Sequence, residues 1–156
     1  MTPAIRLLEA KGIAFTLHRY EHDPKAESFG EEAAAKLGVS TERMFKTLIA
    51  LVDGATLVMA ILPVAARLDL KKLAASADGK RADLADPKLA EKTTGYVVGG
   101  ISPLGGRKAL PTLLDETASL FETIFISAGQ RGLQIEMAPG DLQALTGAIM
   151  ISLTKE

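Results

Sequence analysis

Lys46 stands inside the run Phe45-Lys-Thr-Leu-Ile-Ala-Leu-Val52, which is otherwise mostly apolar. Removing an ammonium from water costs on the order of several kcal/mol unless a partner or a wet cleft receives it. Lys46 therefore either snorkels at a sheet edge or lines a site, where it would offer a fixed positive charge to a substrate. A second candidate is the loop Gly99-Gly-Ile-Ser-Pro-Leu-Gly-Gly-Arg-Lys108. Such a loop is either a plain turn or a place where backbone N–H groups approach a carbonyl or phosphate closely. It is not a nucleotide triphosphate loop, because Gly106 occupies the position where that motif requires Lys.

His18 and His22 are four apart, a metal-ligand spacing on a helix, but their segment reads as a strand and no Glu-x-x-His partner follows. The expectation is two hydrogen-bonded or solvent-facing imidazoles and no metal. Ser102 and Ser127 lack the Gly-x-Ser-x-Gly elbow, and neither His falls in a triad order, which argues against a serine hydrolase. The absence of Cys excludes a thiolate nucleophile, a disulfide scaffold and iron–sulfur ligation. Read this way, the residues point to a small anion- or carbonyl-binding cleft whose nucleophile comes from elsewhere, with no cofactor.

These residues need elements to hold them. Thr2-Pro3 is a helix start and Gly12 a stop, predicting a helix over Pro3–Lys11. Phe15–Tyr20 alternates as a strand, and Glu31–Leu37, closed by Gly38, is a helix. Phe45–Val52 and Thr56–Leu62 flank Asp53-Gly54, the strongest short hairpin signal in the chain. Helices follow over Leu70–Ala77 and Pro87–Lys92. Strand-like segments then dominate: Gly95–Gly99 leading into the Gly-rich loop, Pro111–Asp115, Thr123–Ser127 paired with Leu133–Met137, and Ala148–Leu153 after a helix over Pro139–Leu145. The pattern is α+β with a mixed, largely antiparallel sheet.

At 156 residues the chain is expected to be one domain over 1–156, and 47% hydrophobic with 24% charged residues suits a sizeable core. A net charge of −1 argues against a general nucleic-acid coat protein, and Lys71, Lys72, Lys80, Arg81, Arg107, Lys108 and Arg131 read as a scattered, solvated surface. Arg6 and Glu9 interrupt any signal-peptide core, and the longest apolar runs fall short of a membrane span. The reading is a cytoplasmic protein that binds neither membrane nor DNA.

Several stretches carry a family likeness: Thr2-Pro-Ala-Ile-Arg-Leu-Leu8, Tyr20-Glu-His-Asp23, Phe45-Lys-Thr-Leu48, Leu68-Asp-Leu-Lys-Lys72, Thr94-Gly-Tyr-Val-Val-Gly-Gly-Ile-Ser-Pro-Leu-Gly105 and Arg131-Gly-Leu133. Across nearly its whole length the sequence resembles the YbaK family of freestanding aminoacyl-tRNA editing proteins, specifically the Cys-tRNA(Pro) deacylases. The Gly-Gly-Ile-Ser-Pro-Leu-Gly loop is the most specific match. The resemblance implies a sheet curled into a barrel-like core with surrounding helices. It also implies removal of cysteine from tRNA(Pro) and from Cys-tRNA(Cys), with prolyl-tRNA synthetase as the partner that supplies the choice of tRNA. The chemistry implied is substrate-assisted: the thiol of the bound cysteine attacks its own ester and leaves as a thiolactone.

By the same resemblance Lys46 orients the substrate end, and Gly99, Gly100, Ile101, Ser102 and Pro103 hold the terminal adenosine and the carbonyl. Tyr20, Phe29, Thr47, Ser127 and Gly129 complete the pocket. One position departs from the pattern: where relatives often carry Asp after Arg-Gly-Leu, this chain has Gln134, with Glu136 two residues on and on the same strand face. Two other readings stand beside this one, a noncatalytic tRNA- or synthetase-binding module and an Ala-tRNA(Pro) editing enzyme. Lys46 with the intact loop speaks against the first, and the Phe45-Lys46-Thr47 context favours the Cys type over the second.

Overall fold

The computed structural model describes residues 1–156. Helix α1 (Pro3–Lys11) begins where Thr2 caps the Ile5 N–H and ends at Gly12 in the left-handed region, as its sequence signals require. The Thr2 hydroxyl also donates to the Ala128 carbonyl, which ties α1 to a strand far along the chain. Strand β1 is Thr16–Arg19 and helix α2 Phe29–Leu37.

The hairpin is formed by β2 (Phe45–Val52) and β3 (Thr56–Pro63), in register from Phe45 opposite Pro63 to Val52 opposite Thr56. Three residues, Asp53–Ala55, connect the strands; Asp53 and Gly54 both take positive φ, 52° and 66°, and the Ala55 N–H donates to the Val52 carbonyl at 3.0 Å to close the turn. The Asp53 carboxylate accepts from the Lys80 and Arg81 N–H groups and so anchors the segment that follows α3 (Leu70–Ser76). That segment becomes β4 (Ala82–Leu84), antiparallel to Ala50–Val52. Helix α4 (Pro87–Thr94) leads into the Gly-rich loop, and β5 (Thr112–Asp115) and a 3₁₀ turn over Glu116–Leu120 follow it. The chain closes with β6 (Ile124–Gln130), β7 (Leu133–Met137), α5 (Pro139–Thr146) and β8 (Ile149–Ile151).

The architecture is α+β and mixed. One sheet has three strands in the order β1-β7-β6; the other has five in the order β4-β2-β3-β5-β8, with β3-β5 and β5-β8 parallel and the other pairs antiparallel. Period-two alternation divides the five-stranded sheet between two apolar layers. Phe45, Ile49, Met59 and Ile61 join Ile126, Ile135 and the α1 residues Ile5 and Leu8 in the main core. Ala50, Val58, Ala60 and Leu62 pack on the opposite face with Leu73 and Ala74 of α3. Burial on both faces explains why β2 and β3 read as nearly continuous apolar runs.

Several expectations need correction. The strands do not close into a barrel. The two sheets touch where Met44 and Phe125 form an isolated parallel bridge, and they pair no further. Gly95–Gly99 is loop, held by its helix cap and by side chains, and makes no strand. The short β4 and the 3₁₀ turn were not anticipated, because three to five residues carry too little periodicity to register. No helix is long and apolar enough to cross a membrane.

Candidate active site

β2 and β6 run parallel from the Met44–Phe125 bridge and then part, and a cavity of about 430 Å³ opens between them. β4 covers β2 only at Ala50–Val52, so the outer edge of Phe45–Ile49 borders this cleft in place of a strand neighbour. The start of α2, the loop residues Val98, Gly99 and Ile101, and the segment carrying Leu84, Ala85, Pro87 and Ala90 supply further walls, and Ser127 and Gln134 enter from the three-stranded sheet. The volume lies within the roughly 300–1,000 Å³ typical of small-molecule sites, and the lining is mainly apolar.

Lys46 is half-buried in this lining, and its Nζ donates to the Ala66 carbonyl at 2.7 Å. Burial pushes its pKa below the ordinary 10.5; the Glu31 carboxylate opposes that shift and Arg67 adds to it. Thr47 Oγ1 and Gln134 Oε1 are buried and have no hydrogen-bond partner, and Gln134 is only 7% exposed. Leaving such a group unpaired costs about 1–3 kcal/mol, so a molecule in the cleft that supplies the missing partner gains most of that back. Ser127 stands opposite Gln134 across β6 and β7 and accepts the Gly129 N–H at 3.2 Å.

The rim is built from side-chain clamps. The Val98 N–H donates to Glu91 Oε2 at 2.7 Å, and Arg131 donates to the Val98 carbonyl through Nε and Nη2 at 3.0 and 2.7 Å. The Arg131 guanidinium lies 4.7 Å from the Phe29 ring centre, a cation–π contact that joins the loop to α2. Gly99, at φ +88°, lets the loop sit on that ring, since a Cβ there would come within 2.8 Å of it. Phe29 also meets the His22 ring, with centroids 5.8 Å apart, and His22 belongs to a cluster on Glu32, which takes His22 Nδ1 and the Asp23 N–H, each at 2.7 Å, and pairs with Lys36. Burial alone would raise the Glu32 pKa, but these donors outweigh it and hold the carboxyl below its ordinary value.

A second polar cluster secures the seam. Arg43 donates through Nε to the Thr123 carbonyl at 2.8 Å and through Nη2 to Glu136 Oε2 at 3.1 Å, and the Thr123 hydroxyl donates to the same carboxylate at 2.6 Å. His18 Nε2 lies 2.9 Å from Glu136 Oε1. The Thr123 and His18 hydrogen bonds lower the Glu136 pKa despite its burial, with Arg43 contributing. Both imidazoles are thus partnered by carboxylates.

Of the residues expected at the site, Lys46, Thr47, Phe29, Gly99, Ile101 and Ser127 line one cleft. The others lie outside its lining. Gly100 is pressed against the backbone of Gln130, where a Cβ would meet Cα at 2.8 Å. Ser102 is fully buried and accepts the Leu104 N–H at 3.2 Å, while Pro103 borders a separate hollow with Thr94 and Lys108. Gly129, at φ +109°, forms the β6 bulge beneath Tyr96, and Tyr20 packs in a small cluster with Met44 and Phe125. Gln134 is a polar lining residue to which sequence reasoning gave no role in the pocket. Its alternation with Glu136 on β7 was the available signal, and Glu136 is committed to the seam.

The cleft contains two ionisable side chains, Lys46 and, at its exposed rim, Glu27; no His is present. A site of this kind can bind, orient and polarise an ester, but it brings no evident nucleophile of its own.

Comparison with known proteins is consistent with that chemistry. A family model for the aminoacyl-tRNA editing domain matches residues 23–145. The chain is 37% identical over 153 residues, 98% of its length and 93% of the relative's, to Enterococcus faecalis EbsC, described as a candidate Cys-tRNA(Pro)/Cys-tRNA(Cys) deacylase. It is 30% identical over 141 residues, 88% of its length and 82% of the relative's, to the Escherichia coli multifunctional Ser/Thr-tRNA deacylase ProXp-y. A solved structure described as a candidate trans-editing enzyme for prolyl-tRNA synthetase shares the fold, with a TM-score of 0.86 at 24% identity, covering 100% of this chain and 99% of that one.

Proposed function

The chain belongs to the aminoacyl-tRNA editing domain family, and within it we propose a deacylase that clears cysteine from tRNA(Pro), and from Cys-tRNA(Cys), by means of the substrate's own thiol. The observation that carries this reading is a cleft with one half-buried cation, Lys46, and neither Cys nor His in its lining. The name of the Enterococcus relative supports the choice of cysteine.

In this mechanism the substrate sulfur attacks its own carbonyl carbon. A C–S bond forms, the ester C–O bond breaks, and the ribose oxygen leaves with the proton that the thiol gave up. The product thiolactone is then opened by water. The protein's work is to fold the aminoacyl group into attacking geometry, which contributes roughly 7–11 kcal/mol in well-oriented cases, and to stabilise charge on the ester oxygen. Lys46 faces that charge, and Gly99 and Ile101 bound the terminal adenosine. Phe29, Thr47 and Ser127 complete the walls, while Gly100, Ser102, Pro103, Tyr20 and Gly129 hold the loop and the bulge in place. A pocket separates small side chains by only about 1–3 kcal/mol per methylene, so reactivity is the sharper filter. Choice of tRNA is assigned to a complex with prolyl-tRNA synthetase.

The relative that acts on Ser- and Thr-tRNA supports a second reading, in which an activated water cleaves hydroxyl-bearing substrates. A deacylation panel of Cys-, Ser-, Ala- and Pro-tRNA(Pro) with the purified protein separates the two. Rapid loss of cysteine alone is expected; clearance of serine at a comparable rate favours the second reading.

A further inference from the structure

The geometry points to Thr47 and Gln134 as a reader of the side-chain polar hydrogen, so that the cleft takes aminoacyl groups bearing S–H or O–H and rejects an apolar group of the same size. This inference rests on the proposed aminoacyl ester substrate. Thr47 comes from the five-stranded sheet and Gln134 from the three-stranded one, and they line the same cleft. Both carry a buried oxygen with no hydrogen-bond partner, and Gln134 is more than nine-tenths buried. A bound group with a polar hydrogen satisfies them, whereas an apolar one seals them off unpaired. That asymmetry makes hydrogen-bonding sites selective where apolar pockets are not.

The charge in the cleft indicates which substrate group they meet. The α-ammonium is a cation, and Lys46 already places one in the same space. Glu31 acts on Lys46, Arg67 lies near enough to oppose it, and Glu27 stands exposed at the rim. A neutral amide and a neutral hydroxyl offer no counter-charge to a second buried cation. They suit a neutral thiol or hydroxyl, with the hydroxyl the stronger donor of the two. Binding then admits cysteine and serine together, and chemistry separates them afterwards.

The test is calorimetric binding of non-hydrolysable adenosine conjugates carrying cysteine, serine or 2-aminobutyrate through a 3′-amide. 2-Aminobutyrate keeps the shape of cysteine but lacks a polar hydrogen. The serine conjugate is expected to bind at least as tightly as the cysteine conjugate, and the 2-aminobutyrate conjugate at least about tenfold more weakly. The double variant Thr47→Val with Gln134→Met, shown to be folded by circular dichroism, is expected to bring all three within about twofold. Equal binding of the three by the unaltered protein overturns the inference while leaving the deacylase reading intact. A double variant that loses affinity equally for all three also overturns it, because the pair would then hold a group common to them. If no conjugate binds and no charged tRNA is deacylated, the substrate reading fails and the inference fails with it.

Discussion

Met44 and Phe125 form a single parallel β-bridge, and β2 and β6 form no backbone pair beyond it. The site depends on that interruption. A continued ladder would fill the gap between β2 and β6 with backbone hydrogen bonds and leave Lys46 no cleft to line. One bridge, reinforced by the Arg43–Glu136–Thr123 cluster, holds the two sheets together at the seam while leaving the cleft open.

Replacing Lys46 with Ala is expected to lower deacylation at least about a hundredfold, the usual effect of removing a group aimed at developing charge. The melting temperature should barely change, because Nζ satisfies only one carbonyl, that of Ala66. Lys46→Arg should recover activity only in part, since a planar fork replaces a compact charge. Single-turnover kinetics beside thermal melts check this, and full turnover by the Ala variant would remove Lys46 from the mechanism.

The seam cluster gives a pH signature. The folded-state pKa of Glu136 lies below the ordinary 4.5, so between the two values the unfolded chain binds more protons and stability rises with pH. The contribution is complete above pH 4.5 and is lost as pH falls through the lowered value. Glu136→Gln should cost on the order of 2 kcal/mol at pH 7, roughly 4–8 °C in melting temperature, and should flatten the acid limb of stability. Parallel acid limbs in the two proteins would show that the carboxylate is not held by its partners.

Gly100→Ala should destabilise the fold by about 2 kcal/mol, because its added carbon meets the backbone of Gln130, which has little room to yield. A thermal melt decides the matter: an unchanged midpoint would mean that the loop shifts freely.

Much of the fold was legible because its signals are local. The Thr2-Pro3 start, the Gly12 and Gly38 stops and the Asp53-Gly54 turn each force a backbone conformation by themselves. Lys46 could be picked out as a charge among apolar neighbours, and the structure does place it on a cavity. What the sequence concealed depends on contacts between distant segments. The seam joins Arg43 to Thr123 and Glu136, and no periodicity encodes that meeting. Gly100 and Gly99 read alike in sequence, yet one abuts backbone and the other an aromatic ring. Gln134 could be seen as a departure from a pattern, but its unpaired amide oxygen became visible only in three dimensions.

The most direct test of the central claim, that the substrate's thiol performs the chemistry, is single-turnover deacylation of cysteinyl- and seryl-tRNA(Pro) across pH 6 to 8. A thiol of ordinary pKa near 8.5 is only a few per cent thiolate at about pH 7, whereas a serine hydroxyl is scarcely ionised. The rate on the cysteine ester should therefore climb through this range, at close to tenfold per pH unit where chemistry limits, while the serine ester stays largely intact. Comparable rates on the two esters, or a flat profile with chemistry shown to be limiting, would contradict the account and assign the nucleophile to a water activated by the protein.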